Sequence, residues 1–139
     1  MFDISTDFGA RVSRRLRDER IIWLTTVRAD GRPEPSPVWF LWDGESVIIY
    51  SEPNTVKVRN ITNRPKVALS LNSDAYGGDV IVIAGEASIV PDVLAADEFP
   101  ALIEKYRENL DLPGSLTTEH FARDYSVAIR ITPTRLRGF

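Results

Sequence analysis

The chain has 139 residues, 43% of them hydrophobic and 27% charged, with 17 lysines and arginines against 20 acids and a formal net charge of −3. That is the composition of an ordinary globular protein, long enough for one core and read as a single domain over 1–139. With no cysteine and one histidine, disulfides and an ordinary zinc site are excluded; the acidic balance argues against nucleic acid, and without a long apolar run or leader we expect a cytoplasmic protein outside the membrane.

Residues 7–20 read as an amphipathic helix, with Phe8, Val12 and Leu16 on one stripe and arginines around it. The basic run Ser13–Arg17 is explained by a charged outer face. Residues 21–28 are β-branched and aromatic, so they form a strand, and Asp30-Gly31 turns the chain back. The return strand spans 36–42, and Asp43-Gly44 leads into a third strand over 46–51, which gives a meander. Of the aromatic residues here, Trp23 and Phe40 are expected in the core.

The stretch 51–65 is the least generic part of the chain. It reads as a short helix with Asn54 as N-cap and an end marked by Arg64-Pro65. Val58 and Ile61 share its apolar face, while Lys57, Asn60 and Arg64 share another. No acid occurs between Glu52 and Asp74, yet Lys57, Arg59, Arg64 and Lys66 do. Two readings of this face stay open on the residues alone: a solvated basic surface, or a site for a small anion such as phosphate at a helix start. Arg59 lies about 200° from Lys57 around the helix and ranks below Asn60.

A fourth strand covers 66–72, a loop 73–79, and a long fifth strand 80–90 in which Gly85 marks a bulge. Residues 91–110 are expected to be helical, interrupted near Pro100, with Phe99, Ile103, Tyr106 and Leu110 on one apolar face. Leu112-Pro113-Gly114 breaks that segment, a short helix spans 117–123, and a sixth strand, 125–132, closes the chain. Early strands joined by tight turns, with helices inserted late, define an α+β protein built on an antiparallel barrel.

Familiar catalytic chemistry finds no support. There is no Gly-x-Ser-x-Gly turn, His120 sits in a polar helix, and Gly77-Gly78 is too short for a nucleotide-binding loop. An enzyme with these residues needs a cofactor to carry the reaction.

The segments 25–33 (TTVRADGRP), 37–40 (PVWF), 57–61 (KVRNI) and 64–68 (RPKVA), with 125–135 at the end, resemble the split β-barrel superfamily named after pyridoxamine 5′-phosphate oxidase. Within it, the chain is most similar to the actinobacterial branch that binds the deazaflavin coenzyme F420. The resemblance implies a six-stranded antiparallel split barrel with peripheral helices, forming a homodimer with cofactor sites at the interface. It assigns the cofactor phosphate to Lys57, helped by Asn60, Thr55 and Val56, with Ser51 close by and Arg64 on the same face. It lays the ring along Ser36, Pro37, Val38 and Trp39. No side chain is assigned a catalytic role and no metal is implied. The implied function is an F420-dependent oxidoreductase passing hydride to a small enone- or quinone-like acceptor. An FMN-dependent oxidoreductase and a non-enzymatic F420 carrier are the alternatives.

Overall fold

The computed structural model describes residues 3–91, 93 and 95–139. Seven antiparallel strands form one curled sheet. They are β1 (Ile22–Val27), β2 (Pro33–Val38), β3 (Leu41–Trp42), β4 (Val47–Ser51), β5 (Lys66–Ser70), β6 (Ile81–Ile89) and β7 (Val127–Gly138). Their spatial order is β2-β1-β5-β6-β7-β4-β3. The helices are α1 (Asp7–Asp18), α2 (Val56–Asn63), α3 (Pro100–Lys105) and α4 (Thr118–Asp124).

The expected barrel class holds, with one strand more than six because the return strand divides. The stretch 33–38 pairs with β1, whereas Leu41 and Trp42 pair with Ile48 and Val47 of β4. Between them, Trp39 and Phe40 carry the chain from one edge of the sheet to the other. The expected meander is therefore wrong, because β2 and β4 are not neighbours. Every residue of β4 is buried, with Val47 and Ile49 toward one core and Ile48 and Tyr50 toward another. Such a strand needs neighbours on both sides, and it finds them in β3 and β7.

The first core fills the barrel. Val12 and Leu16 of α1 pack there with Ile22, Leu24, Phe40, Leu69, Ile83 and Ile129. The second lies between the outer face of β4–β7 and the late helices, joining Ile48, Tyr50 and Ala128 to Leu102, Tyr106 and Phe121. Phe40 is fully buried as expected, but Trp23 is not core. Ile22 and Leu24 point inward, so alternation along β1 puts Trp23 on the outer face, 37% exposed, where its Nε1 donates to Asn72 Oδ1 at 3.0 Å.

Several element boundaries differ from expectation. Asn54 is not the cap of α2: it takes a left-handed φ of 63°, and the Thr55 hydroxyl accepts from Val58 N instead. The helix expected over 91–110 is broken into 3₁₀ turns at Ala96–Glu98 and Arg107–Asn109 flanking α3, because Pro100 can only begin a helix. Asp92 and Leu94 of that span lie outside the described residues. The last strand starts at Val127 and runs on to Gly138. Pro133 is tolerated there because it faces Gly85, at the register shift between Ala84 and Gly85 that the glycine had signalled. The arginines of α1 are partly structural, since Arg15 donates to the carbonyls of Asp79 and Asn72.

Candidate functional site: two cavities that share Lys57

Helix α2 starts directly after β4, so its first turn faces the end of the sheet. Two cavities meet there. The larger, about 350 Å³, is lined by Pro37, Val38 and Trp39, by Tyr50 and Ser51 of β4, and by Leu102, Phe121 and Tyr125 from the late helices. The smaller, about 110 Å³, lies among Thr26, Glu34, Pro35, Ser36, Val56 and Lys57. Lys57 belongs to both.

The larger cavity is aromatic. The Trp39 indole stacks on the Tyr106 ring with centroids 4.4 Å apart and 7° between planes, and Phe121 lies 5.3 Å from Trp39. Tyr125 continues the series at 4.9 Å from Phe121. Such a wall suits a flat ring. Burial pushes the Tyr50 phenol up to about 12, so its hydroxyl keeps the proton at any ordinary pH.

The smaller cavity is polar. The backbone N–H groups of Val56 and Lys57, in the first turn of α2, have no intrahelical acceptor, and the helix dipole adds partial positive charge. Glu34 would oppose an anion, but Arg28 Nε forms an ion pair with its carboxylate and Arg32 Nε stands 4.0 Å away. The donor set at this end therefore favours an anionic group.

The structure brings Ser36, Pro37, Val38, Trp39, Ser51, Val56 and Lys57 to these two cavities. Thr55, Asn60 and Arg64 line neither. Thr55 caps α2, and its hydroxyl lies 3.1 Å from that of Ser51. Asn60 is buried, and its amide donates to Thr26 Oγ1 at 3.0 Å. Arg64 Nε donates to the Val27 carbonyl at 2.8 Å. Asn60 and Arg64 hold α2 against β1, Thr55 fixes its first turn beside Ser51 of β4, and together they set where Lys57 stands. Arg59 points away and donates to the Asn54 carbonyl at 2.5 Å.

Sequence reasoning missed the wall built by α3 and α4. Its one local signal was the i,i+4 pair Phe121–Tyr125. Thr26 and Glu34 carried no signal, since only strand pairing brings them beside the start of α2.

A curled antiparallel sheet with an aromatic cavity joined to a cationic polar one defines a split barrel of the flavin and deazaflavin type. The family model described as pyridoxamine 5′-phosphate oxidase matches residues 8–139, and the chain belongs to that family. Among solved structures, an F420 reductase is 26% identical, with 90% of this chain and 94% of that chain covered at a TM-score of 0.70. The heme storage protein HutZ from Vibrio cholerae is 19% identical, covering 91% and 92% at a TM-score of 0.69. A FAD-binding protein from Mesorhizobium loti is 16% identical, covering 92% and 89% at 0.64. The last two share the fold.

No helix among the described residues is long and apolar enough to cross a membrane.

Proposed function

We propose that this chain is an F420-dependent oxidoreductase acting on a small electron-poor acceptor of enone or quinone type. The observation that carries the reading is the place of Lys57, shared by a cavity suited to a flat ring and a cavity suited to an anion. The likeness to an F420 reductase, the nearest in sequence identity of the three structures named above, supports the deazaflavin over other ring cofactors. When bound, reduced F420 supplies a hydride from C5 of its ring.

The residues present fit this cofactor. Lys57 offers a cation to the phosphate, and the N–H groups of Val56 and Lys57 complete the cradle. Pro37, Val38 and Trp39 line the cavity proposed for the ring, and Ser36, one residue earlier, lines the smaller cavity proposed for the phosphate. Asn60 and Arg64 act at one remove by anchoring α2, and Thr55 caps it beside Ser51. The apolar wall of Leu102, Phe121 and Tyr125 excludes water from the ring, and Tyr50, its phenol protonated, lines the same cavity. The reading includes a homodimer that completes the site at its interface.

Titration with F420 and with FMN, followed by fluorescence, tests the cofactor. Low-micromolar F420 affinity with weaker FMN binding is expected, and the reverse order makes this an FMN protein. A panel of quinones and enones offered with reduced F420 then tests turnover. Tight binding without turnover makes the chain a carrier, and no low-micromolar F420 binding overturns the proposal. Sedimentation at micromolar concentration tests the dimer.

A further inference from the structure

The chain passes from β2 to β3 through only Trp39 and Phe40, and the last turn of α3 grips that crossover. The Tyr106 hydroxyl, on a side chain 1% exposed, accepts from Phe40 N at 2.8 Å. It also lies 3.0 Å from the Phe40 carbonyl and 2.8 Å from that of Arg20. Lys105 Nζ donates to the same Phe40 carbonyl at 2.9 Å and sits 3.6 Å from the centroid of the Phe40 ring. Both polar groups of the Phe40 backbone are thus held by side chains of α3 and its end, not by a neighbouring strand. Trp39, one residue earlier, lies flat on the Tyr106 ring and lines the larger cavity.

We propose that Tyr106 and Lys105 are positioning residues that fix the Trp39–Phe40 crossover, and through it the indole wall of the ring cavity. The identity of the ring rests on the cofactor reading above; the clamp itself does not.

Lys105 gives this clamp a pH signature. Burial is the largest influence on its ammonium and pulls it down to about 8. Asp18 and Glu19 at the end of α1 act in the opposite direction, and Arg20 adds to the lowering. Arg20 is itself tied to Glu108 at 3.2 Å and to Asn109 at 2.6 Å. The docked lysine therefore holds its proton less tightly than one free in water. By linkage, docking strengthens as pH rises through about 8 toward the ordinary lysine value.

The test uses the full chain with Trp23→Phe and Trp42→Phe, so that Trp39 alone reports. Acrylamide quenching of Trp39 is expected to fall as pH rises through about 8. Lys105→Met and Lys105→Arg, neither of which titrates in this range, are expected to remove that step. Tyr106→Phe keeps the ring stack but removes the hydroxyl. It is expected to raise quenching at every pH and to weaken binding of riboflavin, a ring probe without phosphate, by about tenfold. Unchanged quenching in Tyr106→Phe, or a pH step that survives in both Lys105 variants, overturns the proposal. Should Tyr106→Phe fail to fold, the Lys105 pair decides alone. If F420, FMN and riboflavin all fail to bind, the cofactor reading falls while the quenching series still judges the clamp.

Discussion

The side-chain amide of Asn60 donates to the hydroxyl of Thr26 at 3.0 Å, with the two residues 5% and 1% exposed. This bond ties α2 to β1 at the smaller cavity, which Thr26 lines. Asn60→Ala leaves a buried hydroxyl without its donor, and should cost about 1–3 kcal/mol of stability. Urea denaturation measures it; a loss below about 0.5 kcal/mol would place the amide outside the structural frame.

Lys57→Ala should weaken F420 binding at least tenfold, about 1.4 kcal/mol, because it removes the one side-chain cation common to both cavities. Its effect on riboflavin, which carries no phosphate, should be much smaller. Fluorescence titration of both ligands checks this, and equal losses would mean that Lys57 contacts the ring and not the phosphate.

Gly85 sits at the β6–β7 bulge, where an added Cβ would lie 2.8 Å from Ile131 Cγ2 and 2.9 Å from the Thr132 carbonyl oxygen. Ile131 is fully buried and the carbonyl is backbone, so neither yields cheaply. Gly85→Ala should destabilise the fold by about 1–3 kcal/mol, read as a lowered urea midpoint with unchanged slope.

Asp43 accepts from the backbone N–H groups of Glu45 and Ser46 at 2.8 and 2.7 Å in the turn joining β3 to β4. Burial pushes its carboxyl up, but the bonds from Ser46 and Glu45 outweigh this and hold it below the ordinary value. A carboxyl depressed in the folded state contributes stability above its unfolded value of about 3.9, and loses it as pH falls through the folded one. Asp43→Asn should therefore flatten part of the acid limb of the stability profile below about pH 4. An unchanged limb in denaturant melts between pH 2 and 5 would contradict that role.

Much of the barrel was legible because its signals are local. Asp30-Gly31 and Asp43-Gly44 both form the turns they announce, and Gly85 forms its bulge. The path between β2 and β3 was not legible, because Trp39 and Phe40 continue an apolar run while the chain changes partner. Only the burial demands of β4 on both faces decide that. At the site, Lys57 and the strand 36–39 could be named from motif and resemblance. Asn60 shares the helical face of Lys57 by spacing, yet its amide is taken by Thr26, a residue 34 positions away in the chain. The α3–α4 wall depends on tertiary packing of short, broken helices, which periodicity resolves poorly.

Strand β2 lies at one margin of the sheet and carries Pro33, Pro35 and Pro37 at alternate positions, paired with Val27, Thr25 and Trp23. Residues at alternate positions of an edge strand direct their backbone nitrogens the same way, and the ladder with β1 tolerates these prolines only if that way is outward. Three successive donors are thus missing from the open margin. A stray strand arriving there finds carbonyls but no N–H groups to complete a ladder. This margin, beside the two cavities, is in this way proofed against amyloid-like growth and strand exchange.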